Sequence, residues 1–512
     1  MKKTAGPPAV FFFSQGRSAG YAQDRRVSTA RELCFLDATE LARRIAGKTV
    51  SAFDVMRAYL EQIADVNPAL NAIVTLHAEQ ALAAARDADA AQARGERLGP
   101  LHGLPVAHKD LFLTRGMRTT FGSPLFANFV PDVDSLIVER QRMAGAIPVG
   151  KTNIPEFGAG SQTFNTVFGA TRNPYNRART SGGSSGGAAV ALAAGMVALA
   201  DGTDLGGSLR NPANFCNVVG LRPSIGCVPR WPAEDAWNTL NVAGPMGRTV
   251  ADAALLLSVV AGADRRDPLS VPLDGARFRE SLDSDVRGKR IAWSADLGGL
   301  PFEPAVRAAF AAQRAVFERL GCRVEDATPN LSGADEAFRT LRGVHFVGAY
   351  GNLIDRHPDA FKDTIARNVA FGRALSAERI AVAHRLQAQC FARMTAFLER
   401  FDALVTPVNQ VLPFAVEEPY PTSIDGVPME TYMDWMQSCY TITVTGHPAI
   451  SVPATFTPDE LPVGIQIVGR YRDEWPLLQL AHAFEAATQA GRRRPPAAAP
   501  TNENLTETHI KS

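Results

Sequence analysis

The sequence predicts an α/β protein, and two observations support this class. Short apolar runs bounded by Gly and Pro alternate with stretches that have helical periodicity. The apolar runs are typical of strands in a largely buried sheet, which α/β proteins cover with helices. We therefore expect one compact unit over residues 31–491, with a helical insertion at about 305–400.

Three helices are predicted before residue 100. The first runs from Asp37 with apolar residues on one face. The second begins at Ser51, because Ser51 followed by Asp54 at the third position is typical of a helix N-terminus. The third is the Ala-rich stretch 77–94.

The character of the chain changes from residue 99, where Gly/Pro turns and β-like runs begin. Residues 104–107 and 146–149 are predicted strands, and residues 135–144 between them are a predicted helix. A segment dense in Gly, Ser, Thr and Asn follows. It contains the apolar stretch 188–200, which we interpret as a buried helix.

The last third of the chain returns to alternating elements. Helical periodicity marks residues 306–320 and 377–398, and three strands are predicted at 404–406, 448–452 and 464–468. Residues 1–30 are predicted to be a flexible leader, since their apolar stretch is shorter than that of a usual signal peptide. Residues 492–512 are predicted to be a flexible tail.

Composition excludes several classes of function. The 53 basic and 52 acidic side chains give a net charge of +1, so neither nucleic acid nor an anionic membrane is an expected partner. No run of 18 apolar residues predicts a membrane span. The six cysteines contain no C-x-x-C pair, which argues against zinc or a disulfide framework and favours a reduced, cytoplasmic setting.

Residues 145–152 satisfy the phosphate-loop pattern G-x-x-x-x-G-K-[ST]. That motif needs an amide-rich loop followed at once by a helix. Here the loop interior is Ile147-Pro148-Val149, and Pro155 disfavours a helix directly after it. We interpret the segment as a buried strand that ends in a turn.

Residues 182–187 read Gly-Gly-Ser-Ser-Gly-Gly and satisfy G-x-S-x-G in two registers. A nucleophile elbow needs an apolar strand before the serine, but residues 173–181 are polar. A flexible linker is also a poor interpretation, because the run leads directly into the apolar stretch 188–200. We therefore expect a structured loop in which small residues allow close backbone packing.

Two further blocks carry chemistry. In residues 201–210 two glycines precede Ser208, which makes consecutive backbone amides accessible, as an oxyanion hole requires. In residues 103–110 Lys109 ends a β-like run. A buried lysine loses its charge because desolvation disfavours the ammonium, and a neutral lysine is a recognised base for a serine nucleophile.

These blocks resemble the amidase signature family of Ser–Ser–Lys hydrolases. The resemblance extends from about residue 37 to residue 491 and rests on segments 103–110, 150–153, 168–174, 182–187, 202–210, 220–223, 244–252, 448–453 and 461–469. It implies an α/β/α fold in which helices cover both faces of a mixed central β-sheet. It also implies an enzyme without a metal or other cofactor.

The resemblance implies a role for each matching residue. Ser208 would be the nucleophile that forms an acyl-enzyme, Ser184 the proton relay, and Lys109 the general base that later protonates the leaving amine. The peptide bond between Gly183 and Ser184 would be cis. The expected oxyanion hole consists of the backbone amides of Leu205, Gly206 and Gly207, together with that of Ser208.

Several neighbouring residues are given structural roles. We expect Asp110, Asp204 and Arg210 to form ion pairs that hold the scaffold. His108 would point to the sheet face opposite to Lys109, and Ser185 would be a hydrogen-bond partner rather than a relay. Three more residues fall outside the proton path: Cys216 as a packed thiol near a helix start, and Asn217 and Arg222 where the family commonly has glycine and lysine.

The predicted function is hydrolysis of a carboxylic acid amide to a carboxylate and an amine or ammonia. The alternative is the glutaminase (A) subunit of a tRNA-dependent amidotransferase. Apart from a small-molecule amide, a homodimer partner is left open. Segments 231–241 and about 340–440 would shape the acyl pocket, where five residues indicate an apolar or aromatic group: Trp231, Trp237, Phe346, Trp435 and Met436.

Overall fold

The computed structural model describes residues 30–496. The predicted leader, except for Ala30, and residues 497–512 of the predicted tail lie outside the described residues. The α-helices of the described part are α1 Ala30–Leu33, α2 Ala38–Ala46, α3 Ala52–Leu70, α4 Ala78–Ala93, α5 Leu136–Met143, α6 Gly186–Ala193, α7 Arg210–Phe215, α8 Val250–Val260, α9 Pro304–Ala311, α10 Arg314–Arg319, α11 Ala334–Arg356, α12 Asp363–Arg373, α13 Ala377–Arg400, α14 Gln437–Thr445 and α15 Glu474–Thr488.

Most strands belong to one mixed sheet. The strands are β1 Ile73–Leu76, β2 Pro105–Lys109, β3 Ile147–Thr152, β4 Phe164–Asn165, β5 Gly169–Ala170, β6 Leu199–Asp204, β7 Val219–Arg222, β8 Val242–Gly247, β9 Arg290–Trp293, β10 Arg323–Asp326, β11 Ala403–Pro407, β12 Ser423–Ile424, β13 Val427–Pro428, β14 Ala449–Phe456 and β15 Pro462–Val468. Eleven of them form the sheet in the order β1-β3-β2-β6-β8-β7-β14-β15-β11-β9-β10, and two short hairpins, β4–β5 and β12–β13, stand apart.

The sheet has a packed layer on each face. Val106 and Leu199 belong to one hydrophobic cluster, which includes residues of α8 and α15. Their neighbours Ala107 and Ala200 belong to a second cluster, which includes residues of α3 and α6. Because successive strand residues point to opposite faces, helices cover both faces of the sheet. The predicted α/β class with a mixed central sheet is confirmed.

Strand β2 lies between β3 and β6 and runs parallel to both. Strand β6 is antiparallel to β8, so the sheet changes from parallel to antiparallel pairing there. In parallel sheets, sites form outside the carboxyl ends of the strands. The carboxyl ends of β2 and β6 are Lys109 and Asp204, which lie within two of the predicted chemical blocks, 103–110 and 201–210.

The predicted N-cap at Ser51 is confirmed, because its side chain accepts a hydrogen bond from the Asp54 amide. The single helix predicted over 188–200 is wrong. Helix α6 ends at Ala193, Gly195 adopts a positive φ of 70°, and residues 199–200 already belong to β6. Alanine and small apolar residues fit a buried helix and a buried strand equally well, so composition did not separate them.

The stretch predicted to be helical from 305 to 400 also contains strand β10, which pairs in parallel with β9 at one end of the sheet. At the beginning of the predicted tail, Arg492 and Arg493 form ion pairs with Asp37 and Glu460. Within residues 30–496, no helix combines the length and the apolar character that a membrane crossing needs.

Candidate active site

The three predicted catalytic residues come from three different segments. Lys109 is the last residue of β2, Ser184 precedes α6, and Ser208 lies in the turn between β6 and α7. The peptide bond between Gly183 and Ser184 is cis, as expected from the resemblance. Gly187 lies in the first turn of α6, directly after this segment. A Cβ atom there would lie 2.3 Å from the amide nitrogen of Asn153, the residue that follows β3, so only glycine allows the helix to begin this close to the strand.

The side chain of Lys109 is wholly buried among hydroxyl groups. Its Nζ lies 2.7 Å from Ser184 Oγ, 2.8 Å from Ser185 Oγ and 2.8 Å from Thr203 Oγ1. Burial lowers the pKa of Lys109 to about 7, against the opposing charges of Asp204 and Asp201. Lys109 is therefore poised to exchange a proton near neutral pH.

The three hydroxyl partners match either protonation state of Lys109. An ammonium has three N–H donors, one for each hydroxyl. A neutral amine has two donors and one lone pair, so one hydroxyl must then donate to Nζ. The short contact with Ser184 gives this serine a direct route for handing its proton to the lysine. The contact with Ser185 agrees with its predicted role as a hydrogen-bond partner.

Ser208 and Ser184 both line one small cavity of about 110 Å³, which we call the inner cavity. The amides of Leu205, Gly206 and Ser208 make no hydrogen bond within the part of the chain that the structure describes. The amide of Gly207 differs from the prediction, since it donates to Asp204 Oδ1 at 2.9 Å. Its N–H group is thus already used to hold the turn.

Asp204 organises the turn that carries Ser208. Its carboxylate accepts hydrogen bonds from the amides of Gly207 and Leu209 and pairs with Arg210 at 2.9 Å and Arg222 at 3.2 Å. Burial would raise the pKa of Asp204, but the two guanidinium charges outweigh it and hold this pKa well below its usual range. The predicted structural ion pair of Asp204 and Arg210 is confirmed.

Arg222 is predicted only to lie outside the proton path, and the structure places it beside the carboxylate that fixes the Ser208 turn. Asn217 has a φ of 56°, in the left-handed region where asparagine is the best substitute for glycine. Cys216 is buried as expected, but it follows the C-terminus of α7 instead of lying near a helix start.

His108 does not face the inner cavity. Its Nδ1 lies 2.6 Å from Asp201 Oδ2, and Gln141 donates to the same oxygen at 2.8 Å. The other oxygen of Asp201 accepts the backbone amide of Lys109 at 2.9 Å. Asp201 therefore fixes the backbone that presents the lysine. Neither Asp201 nor Thr203 was predicted to belong to the site, although each lies within the block 201–210.

A larger cavity of about 400 Å³, the aromatic cavity, adjoins the inner cavity. The two cavities share part of their lining: Leu111, Phe157, Thr203, Asn241, His345 and Tyr350. The further lining of the aromatic cavity includes Phe112, Phe121, Phe126, Phe129 and Trp231. A planar aromatic group suits such a wall because ring contacts add to apolar burial.

The five residues predicted for the acyl pocket divide into two groups. Trp231 lines the aromatic cavity, and Phe346 and Met436 line the inner cavity. Trp435 is buried in the core, stacked on Phe215, and Trp237 is 72% exposed. The prediction that segment 231–241 shapes the pocket agrees with this lining, but Trp237 and Trp435 line neither cavity.

The family model for amidases matches residues 54–478, which is most of the chain. The chain therefore belongs to the amidase family and is a hydrolase of amide C–N bonds, as the resemblance implied.

Relatives of two different kinds are similar to it. An acylamidase of Rhodococcus erythropolis is 35% identical over 470 residues, covering 91% of this chain and 98% of that protein. The A subunit of the glutamyl-tRNA(Gln) amidotransferase of Moorella thermoacetica is 37% identical over 492 residues, covering 91% and 99%. The crystal structure of a bacterial aryl acylamidase superposes with a TM-score of 0.85 at 30% identity, covering 91% and 99%.

Proposed function

We propose that residues 31–491 form a free-standing amidase that works through an acyl-enzyme on Ser208, with Ser184 as proton relay and Lys109 as general base. The observation that carries this proposal is the 2.7 Å contact between Lys109 Nζ and Ser184 Oγ beside a cavity that Ser208 also lines. A lysine with a pKa of about 7 is neutral often enough to serve as a base at neutral pH.

The proposed proton path uses the contact between Lys109 and Ser184 and the cavity that Ser184 and Ser208 both line. Ser208 Oγ attacks the carbonyl carbon and gives its proton to Ser184, which gives its own proton to Lys109 Nζ. The amides of Leu205, Gly206 and Ser208 then stabilise the negative oxygen of the tetrahedral intermediate. Lys109 returns the proton through Ser184 to the leaving nitrogen as the C–N bond breaks. Water then cleaves the acyl-enzyme by the same route.

Sequence identity alone does not separate an acylamidase from a glutaminase subunit, because 35% and 37% are nearly equal. The aromatic cavity favours the acylamidase, since glutamine has no apolar group that would fill a wall of phenylalanine rings. We therefore propose a small-molecule aryl amide as substrate. As a separate proposal, the enzyme is cytoplasmic. Whether the chain forms a homodimer stays a prediction.

The test is to incubate the purified chain with an aryl anilide and, separately, with glutamine, beside the Ser208→Ala variant. Aniline release by the wild type that Ser208→Ala abolishes would support a free-standing amidase. Ammonia release from glutamine alone, or no turnover until a partner is supplied, would favour the amidotransferase subunit. Undiminished activity of Ser208→Ala would refute the assignment of the nucleophile.

A further inference from the structure

Arg342 is a buried cation in the wall of the inner cavity. It lies on α11 and is 3% exposed. Its guanidinium lies 4.0 Å from the ring centroid of Phe346 and 5.4 Å from that of Tyr432. It donates hydrogen bonds to Asn368 Oδ1 and Tyr432 Oη, both of which are uncharged.

No carboxylate of residues 30–496 lies within 4 Å of this guanidinium. Two other buried or half-buried arginines are paired with carboxylates, and the buried Arg248, which has no ion pair among the described residues, donates instead to three backbone carbonyls. Arg210 pairs with Asp204 at 2.9 Å, and Arg339, one turn earlier on α11, pairs with Asp335 and Asp434 at 2.7 and 2.6 Å. Buried charges are normally paired, so an arginine held only by an amide, a phenol and two rings is a position where an anion is missing.

Lys362 is a second cation close to Arg342, while the carboxylates of Glu234 and Asp235 line the adjoining aromatic cavity, where Asp235 contacts His345. Burial lowers the pKa of Lys362 to about 8, and the charge of Arg342 lowers it further while Glu156 opposes this. Glu156 is already engaged by the Ser123 hydroxyl and by the Lys362 amide. The local group of Arg342, Lys362 and Glu156 therefore has a net positive charge when Lys362 is protonated. It has no net charge when Lys362 is neutral.

The inner cavity is too small to separate Arg342 widely from Ser208. Both residues line it, and its volume of about 110 Å³ holds roughly three or four water-sized groups. A group that contacts Arg342 while its carbonyl carbon is at Ser208 would have to belong to a short chain. The aromatic cavity leaves room for a ring on the other side of the scissile bond.

We propose that Arg342 binds a carboxylate at the far end of a short acyl group, so that the preferred substrates are N-aryl amides of short dicarboxylic acids. This inference rests on the proposed function of the same site. A planar guanidinium suits a carboxylate because it offers several N–H donors in one plane. The substrate would supply the counter-ion that the chain does not, and it would leave with the product.

The first measurement compares two anilides with the same chain length and the same number of non-hydrogen atoms. Succinanilate carries a terminal carboxylate, and 4-methylpentananilide carries an uncharged isopropyl group in its place. A charge-assisted contact should raise kcat/KM for succinanilate over the isostere by about ten- to a hundredfold in the wild type. Equal rates, or a preference for the isostere, would overturn the inference.

Three variants locate the effect. Arg342→Met should reduce the ratio of the two kcat/KM values to about one or below, and Arg342→Lys should retain part of it. Arg339→Met, a change of the same kind one helical turn away, should leave the ratio as in the wild type. A ratio that falls equally in Arg339→Met and Arg342→Met would assign Arg342 to the scaffold.

Asn368→Asp tests the same idea without removing the arginine. It places a carboxylate against Arg342 inside the protein, so the ratio should fall while the variant remains folded. An unchanged ratio would contradict the inference. Turnover of neither anilide by the wild type would instead count against the proposed function, which keeps the two failures distinct.

Discussion

Lys109 and Lys151 lie on neighbouring parallel strands, both wholly buried, yet their surroundings differ in one respect. Lys109 contacts three hydroxyl groups, and its pKa is lowered to about 7. Lys151 donates to Thr114, Thr119 and the Phe112 carbonyl and lies 3.9 Å from the Asp110 carboxylate; burial lowers its pKa to about 8.

The difference indicates which buried lysine is suited to the proposed role of general base. The closest carboxylate to Lys151 accepts hydrogen bonds from Thr120 and stabilises the charged form, so Lys151 is a structural cation. Lys109 has three hydroxyl partners that donate or accept equally well, besides a 3.5 Å contact with the Thr203 carbonyl, so both of its protonation states are satisfied. Lys151 also contacts two hydroxyls, so it is the neighbouring carboxylate of Asp110, more than burial or hydroxyl contacts, that separates it from the proposed base.

Methionine at each position should separate the two roles most clearly. Lys109→Met should lower kcat/KM by about 10²–10⁴-fold, because the general base is lost. Lys151→Met should retain most activity per folded molecule. It should instead lose about 3–5 kcal/mol of unfolding free energy, because Asp110 is left buried and uncompensated. Anilide kinetics and urea unfolding of both variants measure this, and equal kinetic losses would contradict the comparison.

The pH dependence of kcat/KM should sharpen the comparison. Activity needs neutral Lys109, so kcat/KM should fall about tenfold per unit below pH 7. The charge of Asp201 raises the pKa of Lys109, so Asp201→Asn should move this acid limb to lower pH. Asp110→Asn is the matched control, since Asp110 acts on the pKa of Lys151. If the acid limb moves with Asp110→Asn and not with Asp201→Asn, the titrating group is Lys151 and the assignment of Lys109 is wrong.

The last effect concerns the stability of the folded chain and changes only slightly with each small step in pH. The pKa of Lys109 is lower in the folded chain than its ordinary value of 10.5, so the unfolded chain binds more protons between about pH 7 and 10.5. This contribution to stability therefore rises with pH, by at most about 1.4 kcal/mol per unit. Lys109→Met lacks this titrating group. Its free energy of unfolding minus that of the wild type, measured by urea unfolding, should therefore fall as the pH rises across that window. A constant difference would mean that Lys109 stays charged when folded.

The sequence predicted the site better where its residues are close along the chain. Ser208 with its two preceding glycines, and Lys109 at the end of a β-like run, were indicated by local patterns, and the resemblance then gave Ser184 its role as relay. Thr203 and Asp201 have no such pattern, because their roles depend on the pairing of β2 with β6. The burial of Arg342 could not be predicted either, because nothing in a helical stretch indicates which arginine the packing of α11 will bury.

The helices and strands were also predicted well only where local sequence patterns decide them. Alternation of helices and strands predicted the fold class, but strand β10 and the end of α6 depend on contacts with distant segments. Trp237 and Trp435 were assigned to the pocket by residue type alone, and one is exposed while the other stacks on Phe215. Residue type indicates what a side chain favours, and packing decides where it lies.

The ion-pair network around Asp204 has a consequence for synthesis of the chain. Arg210, which holds Asp204, also donates to Thr443 on α14 and to Gln466 on β15. Lys109, Ser184 and Ser208 leave the ribosome long before residue 466 does. Since domains fold as their segments become available, a nascent chain cannot have both of these contacts of Arg210 until residue 466 emerges. We therefore expect the Ser208 turn to reach its full support only when synthesis of the chain is nearly complete.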